Sequence, residues 1–419
     1  MSICDASLFG RSASRCHMCE STALSLVIDL GIQPHSDDFL DASRLSEVEH
    51  LYPLRLVSCG DCGLLQIDYF VNPTILYQTN YVYESSTTKK GVAHYKQMAE
   101  SISTSFNFPS GSLTVDIGSN VGVLLAGFKE QGFSVLGVDP AEKVAHIAQA
   151  GGIETIIDFF SEVVARSIVA EKGKAKVITS TNVFAHLHDI NSAVKGISLL
   201  LDADGVLVIE APYALDMLEN VEYDTIYHQH IGYLSVRPMK AYFEKFGLEL
   251  FNIEHQNIHG GTMRYYVGYQ AAHPVAPAIQ DALHAEEASG IYDMKRLKKF
   301  ADDIYAQRSA LQELLRSIKG EGKRIVGISA PAKGNTLLNF CGIDSWHLDF
   351  ITEKSEYKQG LYTPGTHIPI YGDTKLSEER QDYALILAWN FADEIMENTH
   401  TFKKNGGTFI IPIPYPRLI

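Results

Sequence analysis

The sequence predicts an α/β protein, with two doubly wound, mostly parallel sheets in succession and a small cysteine-bearing module in front. Three observations carry this. Apolar strands alternate with helices from about residue 111 to 212, and the alternation restarts near residue 324 after a long amphipathic segment. Four of the six cysteines fall into two Cys-x2-Cys pairs, Cys16/Cys19 and Cys59/Cys62. Strand–helix alternation is the pattern of a parallel sheet covered on both faces. At 419 residues the chain exceeds one ordinary core and suits two or three domains.

Residues 1–72, with the paired cysteines, much turn chemistry and little sustained periodicity, are expected to form the small module. Residues 73–270 hold the first sheet. "SLTVDIG" is a strand running into a glycine turn, and "VGVLLAGFKEQG" is the helix after it. "FSVLGVDP" and "AEKVAHIAQAGG" repeat the unit. "KAKVITSTNVFAH" and "GVLVIEAP" are two more strands around the helix "INSAVKGISLLLDADG", and "HGGTMRYYVGY" adds a late aromatic strand. A break is expected near "AAHPVAPAIQ", so that residues 271–419 form the last domain. In it Leu297, Phe300, Ile304 and Leu311 mark one face of a long helix. "RIVGISAPAKGNTLLNFCG" is strand, turn and helix, and "LDFITE", "YALILAW" and "GTFIIPIP" are further strands.

Hydrophobic residues make up 46% of the chain and charged residues 20%, an ordinary globular mixture. The net charge of −15 argues against broad binding to nucleic acid or an anionic membrane. No run approaches the ~20 apolar residues that span a bilayer, and the first residues lack the apolar core of a signal peptide. A cytoplasmic protein, monomeric or a small homo-oligomer, is the expectation.

In such a chain the cysteine pairs read as metal ligands rather than disulfides. A two-residue gap lets both thiolates of a pair reach one ion, and Cys16, Cys19, Cys59 and Cys62 complete a tetrahedron suited to structural zinc, with an iron–sulfur cluster as the alternative. His17, inside the first pair, is expected to be exposed.

"VDIGSNVG" places Asp116, Gly118, Asn120 and Gly122 at the end of the first strand. Gly118 allows a sharp turn and close approach to a ligand, and Gly122 allows tight helix packing. The Gly-x3-Gly spacing departs from the dinucleotide Gly-x-Gly-x2-Gly, which speaks against a nicotinamide dehydrogenase. Asp139 ends the second strand, where an acid accepts ribose hydroxyls in many doubly wound folds. The pattern resembles class I S-adenosylmethionine-dependent methyltransferases. That resemblance implies an adenine contact for Asp158, and puts Asn182 and His186 of "TNVFAH" at the methionine end of the cofactor.

The chain as a whole resembles the nucleotide-sugar C-methyltransferases of deoxysugar biosynthesis. The resemblance runs in order through the cysteine pairs, "NYVYESS", "VDIGSNVGVLL", "NVFAH", "YHQHIGYLS", "HGGTMRYY", "SAPAKGNTLLN" and "YKQGLYTPGTHIPI". It implies a class I methyltransferase Rossmann-like domain flanked by a small N-terminal zinc-binding domain and a C-terminal Rossmann-like domain. It also implies methylation of a carbon beside a ketone on a nucleotide-linked 4-keto-6-deoxysugar. Such a carbon needs a base and a donor to the developing enolate oxygen. By resemblance His230 is the base and Tyr227 its assistant, with Tyr81 or Tyr83 reaching the same pocket. The family motif is close to Tyr-His-Glu-His, and here Gln229 stands where glutamate is expected: the hydrogen bonds are kept and the charge is lost. His228 shares a face with His230 and is expected to pack.

Ser329, Lys333 and Asn335 of the C-terminal turn are substrate candidates, as is Arg264 of "HGGTMRYY". Lys333 and the helix N-terminus after it would suit a nucleotide phosphate. Thr352 and Glu353 stand where the family has an aspartate. Gln229 and this "ITEK" segment leave room for another carbon acid, or a hydroxyl, as acceptor. A nucleotide-binding module without catalysis is the reading from another class, and the combination of "DIGSNVG", Asp139, Tyr227 and His230 speaks against it.

Overall fold

The computed structural model describes residues 9–78, 83–86, 89–258, 260–378 and 380–419. Tyr81 lies outside the described residues.

The central unit is a seven-stranded sheet. Its strands are β1 (Leu113–Ile117), β2 (Ser134–Val138), β3 (Thr155–Ile156), β4 (Ala175–Thr181), β5 (Leu201–Pro212), β6 (Leu248–Gln256) and β7 (Thr262–Tyr269). Their spatial order is 3-2-1-4-5-7-6, with β1 to β5 parallel and β7 antiparallel between β5 and β6. β1 pairs with both β2 and β4, so the chain reverses its direction of winding there. Ligands of open α/β sheets sit at such a switch point, beyond the carboxyl ends of the strands. All five residues of β1 are buried, as covering on both faces requires. One covering helix, Lys89–Phe106, has no clear sequence signal. It buries Tyr95, Met98, Ala99 and Ile102, and Ala99 packs so close to Gly127 that any side chain there would collide.

The N-terminal module forms a four-stranded antiparallel sheet in the order Gly232–Tyr233, Leu65–Ile67, Leu51–Cys59, Leu24–Pro34. Its edge strand therefore comes from the segment just after His230. The C-terminal unit is a six-stranded sheet, ordered Ile370–Gly372, Ile351–Glu353, Ile325–Ile328, Tyr383–Ile386, Thr408–Ile411, Arg417–Leu418, parallel except at the last pair.

The helix Pro277–Ser289, beyond the expected break, packs on the central unit through Ile279. Its buried Glu286 accepts the backbone N–H groups of Val236 and Arg237 and the hydroxyl of Tyr213. It ends at Gly290, a left-handed cap at φ 71°, and the long helix Met294–Gly320 follows. One core joins that helix (Leu297, Phe300, Ile304, Leu311) to both flanking modules, through Ile28, Leu54 and Leu56 on one side and Ile325, Leu337 and Ile351 on the other. A second core joins the central sheet to Cys16, Met18, Cys59 and Leu64. The segment around His230 lies where the two meet, with Tyr223, Ile226 and Ile231 in the first core and Leu234 in the second.

Candidate active site and zinc centre

The four sulfurs of Cys16, Cys19, Cys59 and Cys62 lie within 4.8 Å of one another, with Cys16–Cys62 and Cys19–Cys59 each at 3.5 Å. A tetrahedral zinc with Zn–S of about 2.3 Å has edges of roughly 3.8 Å, so the cluster fits the ion with little movement. Cys16, hydrogen-bonded by Cys62, is pushed down to about 5, while burial pushes Cys19 up to about 11. Sulfurs this close share negative charge poorly without a cation. His17 is not the exposed residue its position suggests. Its ring Nε2 lies 2.7 Å from the carbonyl oxygen of Leu187, and its backbone N–H donates to Gln66. It ties the zinc module to the loop carrying His186.

The cofactor end is built by backbone conformation. Gly118 sits at φ 73°, and a Cβ there would stand 2.3 Å from a methyl of Val183. Gly122, at φ 79°, caps the helix Val123–Glu130 and faces Ile153 rather than the sheet. Between them Asn120 adopts φ 51°. Its N–H donates to Asp139 at 2.8 Å, its Oδ1 accepts the N–H of Ser85 at 2.9 Å, and its Nδ2 donates to the carbonyl of Tyr83 at 3.1 Å. Asn120 thus latches the Tyr83–Ser85 segment to the glycine loop, a contact no spacing rule suggests.

Asp139 also accepts the N–H of Ala141 at 2.9 Å, so each oxygen takes one backbone donor and keeps lone pairs for a ligand. Asp116 is buried under the loop, accepts the Thr179 hydroxyl at 2.7 Å, and is pushed up to about 7 by burial. Asp158 is exposed beyond β3. Asn182 sits at φ 56°, its N–H donating to the carbonyl of Glu210 at 2.7 Å. At this edge the buried Oγ of Ser119, Ser180 and Thr181 and the Nε2 of His186 have no hydrogen-bond partner among the described residues. A glycine-lined loop above orphaned polar atoms at the switch point fits a nucleoside ligand.

His230 stands beside this edge. Its Nδ1 lies 2.8 Å from the carbonyl oxygen of Thr225, so Nδ1–H donates and Nε2 keeps its lone pair. Its ring lies against Tyr227 at 4.0 Å and stacks on His186 at 4.9 Å between centroids. Burial pushes it down to about 4, with the Thr225 carbonyl opposing and the Lys333 charge adding to the fall. Tyr83 belongs to the segment that Asn120 latches to the glycine loop and is half-exposed. His228 turns away into the N-terminal core, edge-on to Tyr52, as its packing role requires. Gln229 is buried and donates to Asp37, a residue the sequence does not single out.

Two substrate candidates, Arg264 and Asn335, are held by partners within the protein. Arg264 is buried in a pair with Glu210, which also holds His94, and reaches Glu254. It locks β7 to its two neighbours. Asn335 is buried and donates to the carbonyl of Ser36 at 2.6 Å. Lys333 lies over the Trp389 ring at 4.1 Å, in the field of the buried Asp224 and Glu222. Burial pushes Glu222 up to about 8. Ser329 sits at φ 68°, its N–H bonded to Thr352. Glu353 is absorbed by backbone N–H groups of Ala330 and Ser355.

The sheet order, the glycine loop and the zinc module define a class I S-adenosylmethionine-dependent methyltransferase with two flanking domains. Three family models match in succession: "Putative zinc binding domain" over residues 16–77, "Methyltransferase domain" over 93–253 and "C-methyltransferase C-terminal domain" over 257–414. The chain is 34% identical over 410 residues to the C-methyltransferase NovU of Streptomyces niveus, covering 98% of this chain and 97% of that protein. It belongs to this family of C-methyltransferases and is an S-adenosylmethionine-dependent enzyme with a zinc-binding N-terminal domain. Among solved structures, a magnesium protoporphyrin IX methyltransferase from Synechocystis PCC 6803 with bound SAM is 14% identical, covering 45% of this chain and 85% of its own, at TM-score 0.32. The PH0226 protein from Pyrococcus horikoshii OT3 is 12% identical, covering 44% and 94%, at TM-score 0.35. Family membership stands on the full-length relative and the family models alone. No helix among the described residues is long and apolar enough to cross a membrane.

Proposed function

We propose that the acceptor is a nucleotide-linked 4-keto-6-deoxysugar and that His230 removes the proton from the carbon beside its ketone before that carbon is methylated. The observation that carries this is the Nδ1 contact of His230 with Thr225, which leaves Nε2 as the proton acceptor. When bound, S-adenosylmethionine supplies an electrophilic methyl group. Asp139, Asn182 and the Gly118–Gly122 loop would hold it, with Asp158 at the exposed rim.

His230 starts neutral. The C–H electron pair moves toward the ketone oxygen as Nε2 takes the proton, and the carbonyl of Thr225 then steadies the imidazolium through Nδ1–H. Tyr227, packed on His230, would donate to the developing enolate oxygen, with Tyr83 from the latched segment as a further donor. The positive charge of Lys333 favours both the neutral imidazole and an adjacent enolate. Beyond these groups, alignment of the reacting atoms supplies much of the rate. Ser329 and Lys333 are the residues proposed to lie nearest the nucleotide portion.

The test is mass spectrometry of a reaction with S-adenosylmethionine and a dTDP-4-keto-6-deoxyglucose-type substrate in deuterated water. Methylated sugar, together with solvent deuterium at C3 of unreacted substrate, is expected. His230→Asn should lose both signals while still binding cofactor, since a general base contributes ~10²–10⁴-fold. Turnover of that variant within a few-fold of wild type would remove His230 from the role.

A further inference from the structure

Asp37 lies in the loop after the strand Leu24–Pro34 and is only 8% exposed. Its Oδ2 accepts one hydrogen bond, from Gln229 Nε2 at 2.9 Å. The Gln229 amide is oriented by the Ser36 hydroxyl, which donates to Oε1 at 3.4 Å. Among the described residues, no arginine, lysine or histidine forms an ion pair with Asp37, and the adjacent His35 is itself buried with Nε2 unpartnered. A largely buried carboxylate with one amide donor keeps acceptor capacity for a ligand, because it has about four acceptor directions.

The loop does not need this carboxylate to hold its place. Asn335 fixes the carbonyl of Ser36 at 2.6 Å, Leu40 and Tyr362 exchange both backbone hydrogen bonds, and Arg44 grips Asp38 at 2.8 Å. Asp37 instead bonds the side chain of Gln229, the chain neighbour of His230. Its charge acts on the phenols of Tyr77, Tyr83 and Tyr227, the last of which packs on His230. The residue at 229 is an amide that donates to this carboxylate, so the pair carries one negative charge, placed on the zinc-module side.

We propose that Asp37 is an acceptor-binding residue of the methyl-transfer site, its carboxylate accepting a hydrogen bond from a hydroxyl of the bound sugar, with Gln229 as the positioning residue that aims it. This rests on the keto-sugar reading for the identity of the acceptor. Asp37 adds to that reading a contact contributed by the N-terminal domain.

The experiment compares wild type, Asp37→Asn, Gln229→Glu and the double swap Asp37→Asn/Gln229→Glu, each checked for zinc and for S-adenosylmethionine affinity. Asp37→Asn keeps a partner for Gln229 and removes only the charge. Its KM for the keto-sugar should rise about tenfold or more while kcat stays within about threefold. Gln229→Glu sets two carboxylates against each other and should be impaired as well. The double swap returns one carboxylate and one amide to the pair and should recover most of the lost KM. A KM for Asp37→Asn within about twofold of wild type would overturn the proposal. Thermal unfolding decides independently of the acceptor. A carboxylate kept for a ligand, in a loop held by other bonds, contributes little to stability, so Asp37→Asn should melt within about 5 °C of the wild-type temperature. A fall of more than about 5 °C would show a structural carboxylate and overturn the proposal. Failure of the wild type to methylate the keto-sugar would count against the acceptor reading, and the melting comparison would still judge Asp37.

Discussion

Gly232, two residues beyond His230, pairs in an antiparallel ladder with Gln66 of the zinc module. The next hydrogen bond along, from the N–H of Ile67 to the carbonyl of Ile231, extends the seam toward the base. Gln66 also accepts the N–H of His17, which lies between the first two cysteines. The zinc cluster and His230 are therefore joined through three short steps.

Zinc removal should accordingly abolish methyl transfer without abolishing cofactor binding. Structural zinc contributes folding free energy to its module, and the edge strand after His230 loses its partner when that module opens. The glycine loop and Asp139 are held by the central sheet instead. Chelation, or Cys59→Ser, should cost at least about 100-fold in turnover while S-adenosylmethionine affinity changes less than about fivefold. Calorimetric titration alongside zinc quantification measures both. Equal loss of the two would mean that the zinc module supports the whole central fold.

The pH profile follows from the burial of His230. A base must be neutral, and this one is pushed down to about 4. Activity should stay level as pH falls from 8 to about 5.5, and decline only on approach to 4. Short assays of kcat/KM with zinc content verified would check this. An inflection near 6.5 would mean that His230 keeps its ordinary pKa.

His228 gives a stability prediction of defined sign. Buried against Tyr52 and His35, it is pushed down to about 3. Between its unfolded value near 6.5 and that folded value, the unfolded chain holds the proton and the folded chain does not. Stability therefore falls as pH drops through this window, by about 1.4 kcal/mol per unit for this residue. His228→Phe should lower the slope of unfolding free energy against pH by about that amount between roughly pH 6 and 4. An unchanged slope in denaturant titrations would show that His228 is not held neutral.

Asn120 tests the latch. Asn120→Gly keeps the left-handed backbone and removes both side-chain bonds to Tyr83 and Ser85. It should weaken S-adenosylmethionine binding about tenfold with little loss of stability. Asn120→Ala adds a strained φ and should cost about 1–2 kcal/mol more. Calorimetry and thermal melting separate the two effects. Equal cofactor affinity in wild type and the glycine variant would dispose of the latch.

Much of the architecture was legible because its signals are local. The strand–turn–helix units from 111 to 212 and the long helix at 294–320 announce themselves through period and glycine placement. The N-terminal hairpin did not. Its strands Leu24–Pro34 and Leu51–Cys59 pair with two register shifts, and Pro53 interrupts the second, so no clean alternation survives. The helix Pro277–Ser289 follows a Pro-rich stretch that reads as a linker, yet Ile279 and Glu286 bind it to the central unit.

By itself the sequence marked the four-cysteine cluster, the glycine loop and, through the family resemblance, the His230 segment, because each is a short run with a recognisable local pattern. Only the tertiary structure decided which charges remain available. Arg264 and Asn335 look free in the sequence, and both are consumed by Glu210 and Ser36. Asp37 is not singled out by any motif, and its carboxylate lies 2.9 Å from the Gln229 amide, 192 positions away. Hydrogen-bond partners so far apart in the chain are set by how three separate modules pack, and packing of that range leaves no periodic trace in the residues themselves.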